Sequence, residues 1–272
     1  MCDGNSEHDK GLRYDRRALL KLMAGASVFG GLVGCGATGE TNAFGGGPGS
    51  SSGSNTVITS ENGQCATIPQ ETEGPYPADG TNGPNTLTLS GIVRNDIRSS
   101  FGTLSGQAAG TPTVVQLQVV NVNNNCSPLA GYAVYLWHCN ADGQYSIYEV
   151  TDQNYLRGVQ ETDASGTVTF QTVFPGCYAG RYPHMHFELF PSLTSATTGS
   201  NSIAISQLAL PSATCSAVYG QTSLYPSSQS RFQTLSIATD NIFSDGADYQ
   251  IPEVTGDVAN GYMLSLEVGL AM

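Results

Sequence analysis

Val114-Val115-Gln116-Leu117-Gln118-Val119-Val120-Asn121-Val122 spaces Val115, Leu117 and Val119 at every second position. Successive side chains of an extended chain point to opposite faces, so these three share a face and suit a half-buried strand. Similar short runs follow at Tyr132–Trp137, Thr167–Val173, His184–Phe190, Ile203–Leu210 and Met263–Leu270, separated by clusters of Gly, Pro, Asn and Asp. Many short strands broken by turn signals indicate a sandwich or a barrel. No long stretch after residue 35 has a 3.6-residue apolar period, and there is no internal repeat. The expectation is an all-β fold, a β-sandwich of mostly antiparallel strands, with residues 63–272 long enough to bury one core.

Charge narrows the function classes. Charged residues are 12% of the 272, and the formal net charge is −12. Lys10, Arg13, Arg16, Arg17 and Lys21 crowd into the first 34 residues; beyond them stand Arg94, Arg98, Arg157, Arg181 and Arg231, and no lysine. Eighteen acidic side chains oppose those five arginines, a net charge of −13. Nucleic acid binds by exchanging counterions for Lys and Arg, so no nucleic-acid partner is expected. Of seven cysteines, Cys2 and Cys35 precede the β-rich body, which holds Cys65, Cys126, Cys139, Cys177 and Cys215. Their spacing fits no zinc motif and reads as disulfide candidates of an exported protein, with at least one body cysteine unpaired or paired between molecules.

Arg16-Arg17 precedes a short apolar, Gly/Ala-rich run that ends at Val33. A basic region followed by a short apolar one is the layout of a twin-arginine export signal, and a dozen or so apolar residues are too few to span a ~30 Å hydrocarbon core. Leu32-Val33-Gly34-Cys35 resembles the lipobox of bacterial lipoproteins, which makes Cys35 a lipid anchor. Residues 35–62, rich in Gly, Ser, Asn and Thr, read as a flexible linker. The expected organisation is a signal over 1–34, a tether over 35–62 and a domain over 63–272. Its expected location is periplasmic or cell-surface, held to membrane by lipid alone.

The densest chemical signal is His184-Met185-His186. Residues i and i+2 of a strand project from one face, so two imidazoles can reach one metal. Upstream lie Trp137-His138-Cys139-Asn140-Ala141-Asp142-Gly143-Gln144-Tyr145-Ser146, then Leu156-Arg157-Gly158, Thr162-Asp163-Ala164-Ser165-Gly166, Phe174-Pro175-Gly176-Cys177-Tyr178 and Arg181-Tyr182-Pro183-His184. His138 reads as a packed histidine.

Taken in order, these segments resemble the intradiol ring-cleavage dioxygenases, the family of catechol 1,2-dioxygenases and protocatechuate 3,4-dioxygenases. Thr72-Glu73-Gly74-Pro75-Tyr76 resembles the family's opening segment. The resemblance spans roughly residues 65–270 and implies a sandwich with long active-site loops. It implies a non-haem iron(III) cofactor held by Tyr145, Tyr178, His184 and His186. Phenolate oxygen suits a hard trivalent cation, and only such a metal makes an anion of a phenol that otherwise ionises near pH ~10. Tyr155 is the rival to Tyr145, which fills the family's Gly-x-Tyr-Ser place; Tyr148 and Tyr182 read as structural. The resemblance gives Tyr178 a second role, as the group that leaves the metal to accept a substrate proton, and Arg181 the task of stabilising developing negative charge. Gly74, Pro75, Tyr76 and Gln207 would bind substrate or support its site. The implied partners are a catechol-type aromatic and O2, and the implied product a cis,cis-muconate.

Some features depart from the family. A helical dimerisation region is missing, and the oligomeric state is left open. The short step from Tyr178 to His184 implies a shallower, more open pocket for substituted or larger catechols. Cys139 and Cys177 are a candidate disulfide beside the metal. The alternative reading is a non-catalytic β-sandwich that binds a metal or an aromatic ligand at the cell surface.

Overall fold

The computed structural model describes residues 65–272, so the expected signal, the expected anchor at Cys35 and the expected linker lie outside the described residues. The opening alternation becomes β1 (Pro112–Asn121), in which Val115, Leu117 and Val119 are fully buried. Burying each contributes about 1.5–3 kcal/mol. β1 is the hub of one sheet. It pairs antiparallel with β2 (Ser127–Pro128) and β5 (Thr167–Val173), and parallel with β9 (Gly261–Leu270), whose other edge carries β8 (Glu253–Asp257). The second sheet is antiparallel throughout, in the order β4 (Arg157–Glu161), β3 (Ala133–Trp137), β6 (His184–Phe190), β7 (Ala204–Ala209).

The two sheets face each other across one core. Val115, Leu117, Phe170, Leu264 and Leu266 from the first meet Val134, Leu136, Met185, Phe187 and Leu189 from the second. The fold is the expected all-β sandwich, with one long parallel pairing, β1 with β9, among antiparallel ones. Two short helices, α1 (Ser212–Tyr219) and α2 (Ser228–Phe232), follow β7. Among the described residues no helix is long and apolar enough to cross a membrane.

Strand β6 decides where chemistry sits. Its seven residues are all buried, although only Met185, Phe187 and Leu189 face the sandwich core. Alternation sends His184, His186 and Glu188 to the outer face. There, loops cover what would otherwise be solvent-facing sheet: a second apolar layer joins Tyr135 and Trp137 of β3 to Leu87, Phe101 and Tyr145. The space between sheet and loops holds the polar groups described below.

One disulfide, Cys65–Cys126, joins the start of the domain to the turn after β1, with Cα atoms 5.7 Å apart. A bridge closing a loop of that length contributes about 4 kcal/mol in the chain-entropy account. Cys139, Cys177 and Cys215 are buried free thiols, so the expected Cys139–Cys177 pair does not form. The two thiols point to different carbonyls: Cys139 Sγ donates to Gly176 O at 3.4 Å and Cys177 Sγ to Tyr178 O at 3.8 Å.

Candidate metal centre

His184 and His186 leave β6 on one face, with their Nε2 atoms 3.0 Å apart. His184 Nδ1 lies 2.6 Å from the carbonyl of Tyr182. A carbonyl only accepts, so Nδ1 carries the proton and Nε2 keeps its lone pair. Tyr178 Oη donates to that same Nε2 at 3.0 Å. The His186 ring stacks on Trp137, with centroids 4.9 Å apart and planes 9° from parallel. On its other side Gly74 has φ +73°, and a Cβ there would lie 3.3 Å from His186 Cε1. Glycine accepts that conformation freely and leaves the imidazole its room.

Tyr145 completes the group from the loop after β3. Asn140 folds that loop: its Oδ1 accepts from the amides of Asp142 and Gln144 at 3.0 and 2.9 Å. The Tyr145 amide donates to Glu149 Oε2 at 2.8 Å. The Tyr145 ring stands edge-on to Tyr178 (5.9 Å) and His186 (6.3 Å). Its hydroxyl is buried without a hydrogen-bond partner, as is His186 Nδ1. An unpaired buried hydroxyl costs about 1–3 kcal/mol, which a cation at the focus of the four side chains would offset.

Electrostatics fit the same occupant. Burial, then the charge of Arg181, lowers His184 to about 3. Burial, then His184, holds His186 well below its ordinary value. Both imidazoles are therefore neutral donors at neutral pH. Burial raises both phenols, Tyr145 further by the neighbouring Tyr178 and Tyr178 further by Cys139. They stay protonated unless a strong Lewis acid ionises them. Two neutral nitrogens and two such phenols balance a trivalent, oxygen-seeking metal better than a divalent one.

A cavity of about 230 Å³ opens beside these side chains. Gly74, Pro75 and Tyr76 line it together with Tyr145, Tyr178 and His186. Arg181 lines it as well, held by Asp240 Oδ2 (3.0 Å from Nε) and by Gln207 Oε1 (2.7 Å from Nη2). Burial alone would raise the Asp240 carboxyl; hydrogen bonds from Arg181 and from the amides of Tyr182 and Ile242 outweigh it and hold the group below the usual range.

The family model described as Dioxygenase matches residues 71–195. An intradiol ring-cleavage dioxygenase from Tetranychus urticae is 25% identical with a TM-score of 0.58, covering 75% of this chain and 94% of that one. The dioxygenase Tetur07g02040 is also 25% identical, with a TM-score of 0.59 and coverage of 76% and 94%. The family match and the structural neighbours alike are intradiol ring-cleavage dioxygenases. No curated protein matches this chain's sequence at a significant level. These matches support an oxidoreductase of the intradiol dioxygenase type.

In this dioxygenase the sequence-derived residues fall into two groups. Tyr145, Tyr178, His184 and His186 converge, and Gly74, Pro75, Tyr76 and Arg181 border their cavity. Gln207 stands back from the cavity wall: it receives Arg181 and donates from Nε2 to Thr72 O at 2.9 Å, linking the arginine to the opening segment. Tyr155 packs with Leu156 and Val173, its hydroxyl taken by Asn140 Nδ2. His138 is satisfied on both nitrogens, by Cys139 O and Thr172 Oγ1. Tyr182 packs its ring with Phe243 and serves the site through its backbone, its carbonyl accepting from His184 Nδ1 and its amide donating to Asp240 Oδ2 at 2.6 Å. Asn241 and Ile242 complete the lining of the cavity. Sequence reading gave no role to these two, to Asp240 or to Arg157. Arg157 stands in Leu156-Arg157-Gly158, and the scarcity of arginine in so acidic a body is the signal that singles it out.

Proposed function

We propose that this dioxygenase holds one non-haem iron(III) ion between Tyr145, Tyr178, His184 and His186, and uses O2 to cleave a catechol-type ring between its two hydroxyls, giving a cis,cis-muconate-type product. The observation that carries this reading is the convergence of two neutral imidazoles and two buried phenols, one of them unpartnered, beside a cavity with an arginine in its wall. The ion supplies Lewis acidity, which ionises the phenols and draws electron density from a bound catecholate. The chain supplies the rest. Tyr178, the more exposed of the two phenols, stands at the cavity and is placed to take a substrate proton at Oη. Arg181, fixed from behind by Asp240 and Gln207, stabilises negative charge as it develops in the cavity. A cavity of about 230 Å³ is small for a drug-sized ligand and suits a single aromatic ring with small substituents.

The test is a visible spectrum of the purified full chain with iron quantified, followed by catechol under air. A tyrosinate-to-iron(III) band that shifts with catechol and decays as muconate forms supports the assignment. A colourless protein that stays inert after iron(III) loading refutes it and leaves the non-catalytic binding sandwich. Tyr178→Phe separates the ligand assignment from the rest: unchanged colour and rate would remove Tyr178 from the ion.

We also propose export with attachment through lipidated Cys35, on the strength of Arg16-Arg17 and Leu32-Val33-Gly34-Cys35. Fractionation of cells producing the Cys35→Ala chain tests it. Release from membranes is expected; unchanged membrane association would overturn the anchor.

A further inference from the structure

Beyond His186, the outer face of β6 carries Glu188, and its surroundings are unlike those of any other carboxylate described above. Glu188 is fully buried, and neither carboxylate oxygen has a hydrogen-bond partner. Beside it lies Asp79, also fully buried, whose Oδ1 accepts from the amide and hydroxyl of Thr81 at 2.9 and 2.6 Å while Oδ2 is unpartnered. Half-buried Glu73 completes the group, its Oε1 accepting from Thr81 Oγ1 at 3.1 Å. One oxygen from each of the three lies within 4.8 Å of the others. Among the described residues, no basic nitrogen lies within ion-pair distance of any of them; the ion pairs are Arg98–Asp96 and Arg181–Asp240. Gly199 makes the space, since a Cβ there would fall 1.7 Å from Asp79 Oδ2. Three carboxylates gathered in a covered site, with three buried oxygens that meet no donor, are strongly unfavourable as anions, and either a proton held between Glu188 and Asp79 or a bound cation must offset them.

We propose that Glu73, Asp79 and Glu188 form a second, oxygen-only metal site that binds a calcium ion, separate from the histidine–tyrosine centre. The donor set is all hard oxygen, which excludes the softer metals that favour nitrogen or sulfur. Calcium bonds of about 2.3–2.6 Å reach from a central point to oxygens spread over this span, whereas magnesium, at about 2.0–2.1 Å, demands a tighter and more regular shell. Water and the Thr81 hydroxyl are available to fill a coordination number of six to eight. The ion ties two parts of the molecule together. Glu73 directly precedes Gly74, Pro75 and Tyr76 of the cavity wall, and Glu188 is two residues along the strand from His186. Calcium therefore fixes the opening segment against the strand that carries the histidines.

The experiment is calorimetric titration of CaCl2 into the EGTA-treated full chain, with thermal melting in CaCl2 or MgCl2. One calcium per chain and a higher Tm in calcium than in magnesium are expected. Glu188→Gln, and Glu73→Gln in the less buried position, should each weaken calcium binding at least tenfold, while His184→Ala should leave it unchanged. The idea is overturned by no heat and no Tm shift up to about 5 mM calcium, a ceiling above the weakest extracellular calcium modules. It is equally overturned by wild-type affinity in the two Gln variants, by an equal response to magnesium, or by loss of calcium binding in His184→Ala. Iron loading and ring cleavage enter none of these readouts, so failure here leaves the catalytic reading standing, and the reverse.

Discussion

Replacing Arg157 by methionine should cost this protein about 3–4 kcal/mol of stability. The guanidinium is fully buried and makes five hydrogen bonds. Nη1 donates to Pro77 O at 2.8 Å and Tyr135 Oη at 3.1 Å, Nη2 to Tyr76 O at 3.0 Å and Ser146 O at 3.1 Å, and Nε to Ser146 Oγ at 3.1 Å. Methionine fills much of the volume but donates nothing. Pro77 O keeps a donor, because Tyr135 Oη reaches it at 2.7 Å. Tyr76 O and Ser146 O lose theirs. At about 1–3 kcal/mol for each stranded acceptor, the loss is about 2–6 kcal/mol. Release of a buried cation from its desolvation cost returns part of it. The result is a large fraction of the ~5–15 kcal/mol that domains have. Lysine, a point charge without the planar fork, should recover less than half. Urea unfolding of the full chain and the two variants gives the numbers directly. Both stranded carbonyls lie beside site residues, Tyr76 itself and Tyr145, so the visible band should weaken in parallel. A methionine variant within 1 kcal/mol of wild type would refute the view that this arginine clamps the two loops.

Three further outcomes follow from the geometry. Gly74→Ala forces a side chain into φ +73°, at about 1–2 kcal/mol, and sets a Cβ 3.3 Å from His186 Cε1. Ring cleavage should fall more than tenfold, beyond what the stability loss explains, and wild-type kcat/KM would refute the contact. Asp240→Asn removes the charge that holds Arg181, so kcat/KM should drop about tenfold, equivalent to about 1.4 kcal/mol, with iron content unchanged; steady-state kinetics beside metal analysis checks this. Burial lowers His138 to about 4, so its contribution to stability is full above pH ~6.5 and is lost as pH falls from there to about 4, some ~3 kcal/mol in all. Urea unfolding at pH 7.5 and 4.5, in one metal state, should show a shallower fall in His138→Gln than in wild type; equal slopes would count against the assignment.

The alternation around Val115, Leu117 and Val119 made the sandwich legible, because a two-residue period survives in any context that buries one face. The metal-centre side chains were legible for a different reason: His184 and His186 are tied by strand geometry, and Tyr145 and Tyr178 by a motif order with no local explanation. What escaped was set by contacts distant in sequence. The parallel pairing of β1 with β9 joins strands about 140 residues apart, and Arg181 meets Asp240 across 59 positions. The Cys65–Cys126 bridge spans 61. None leaves a periodic trace. α1 was hidden by brevity: buried Thr214, Cys215, Val218 and Tyr219 make a helical stripe of only two turns, too short to stand out in a window of 11–18 residues. The burial of Arg157 and Glu188 leaves no sequence signal, because nothing near them in sequence says that loops will cover that face of the sheet.

Strand β6 has no idle side. Met185, Phe187 and Leu189 fill the sandwich while His184 and His186 face the chemistry, so a volume change at Met185 or Phe187 is felt at the imidazoles, and a change at His184 or His186 is felt by the core. Such a strand leaves natural variation little room. A lineage adapting this scaffold to a new ring would find its freedom in the covering loops, where Pro75, Asn241 and Ile242 border the cavity from outside the sheet. Diversity of substrate and constancy of the two imidazoles are then consequences of one architectural division, between a strand that must stay as it is and the loop residues beside the ring that need not.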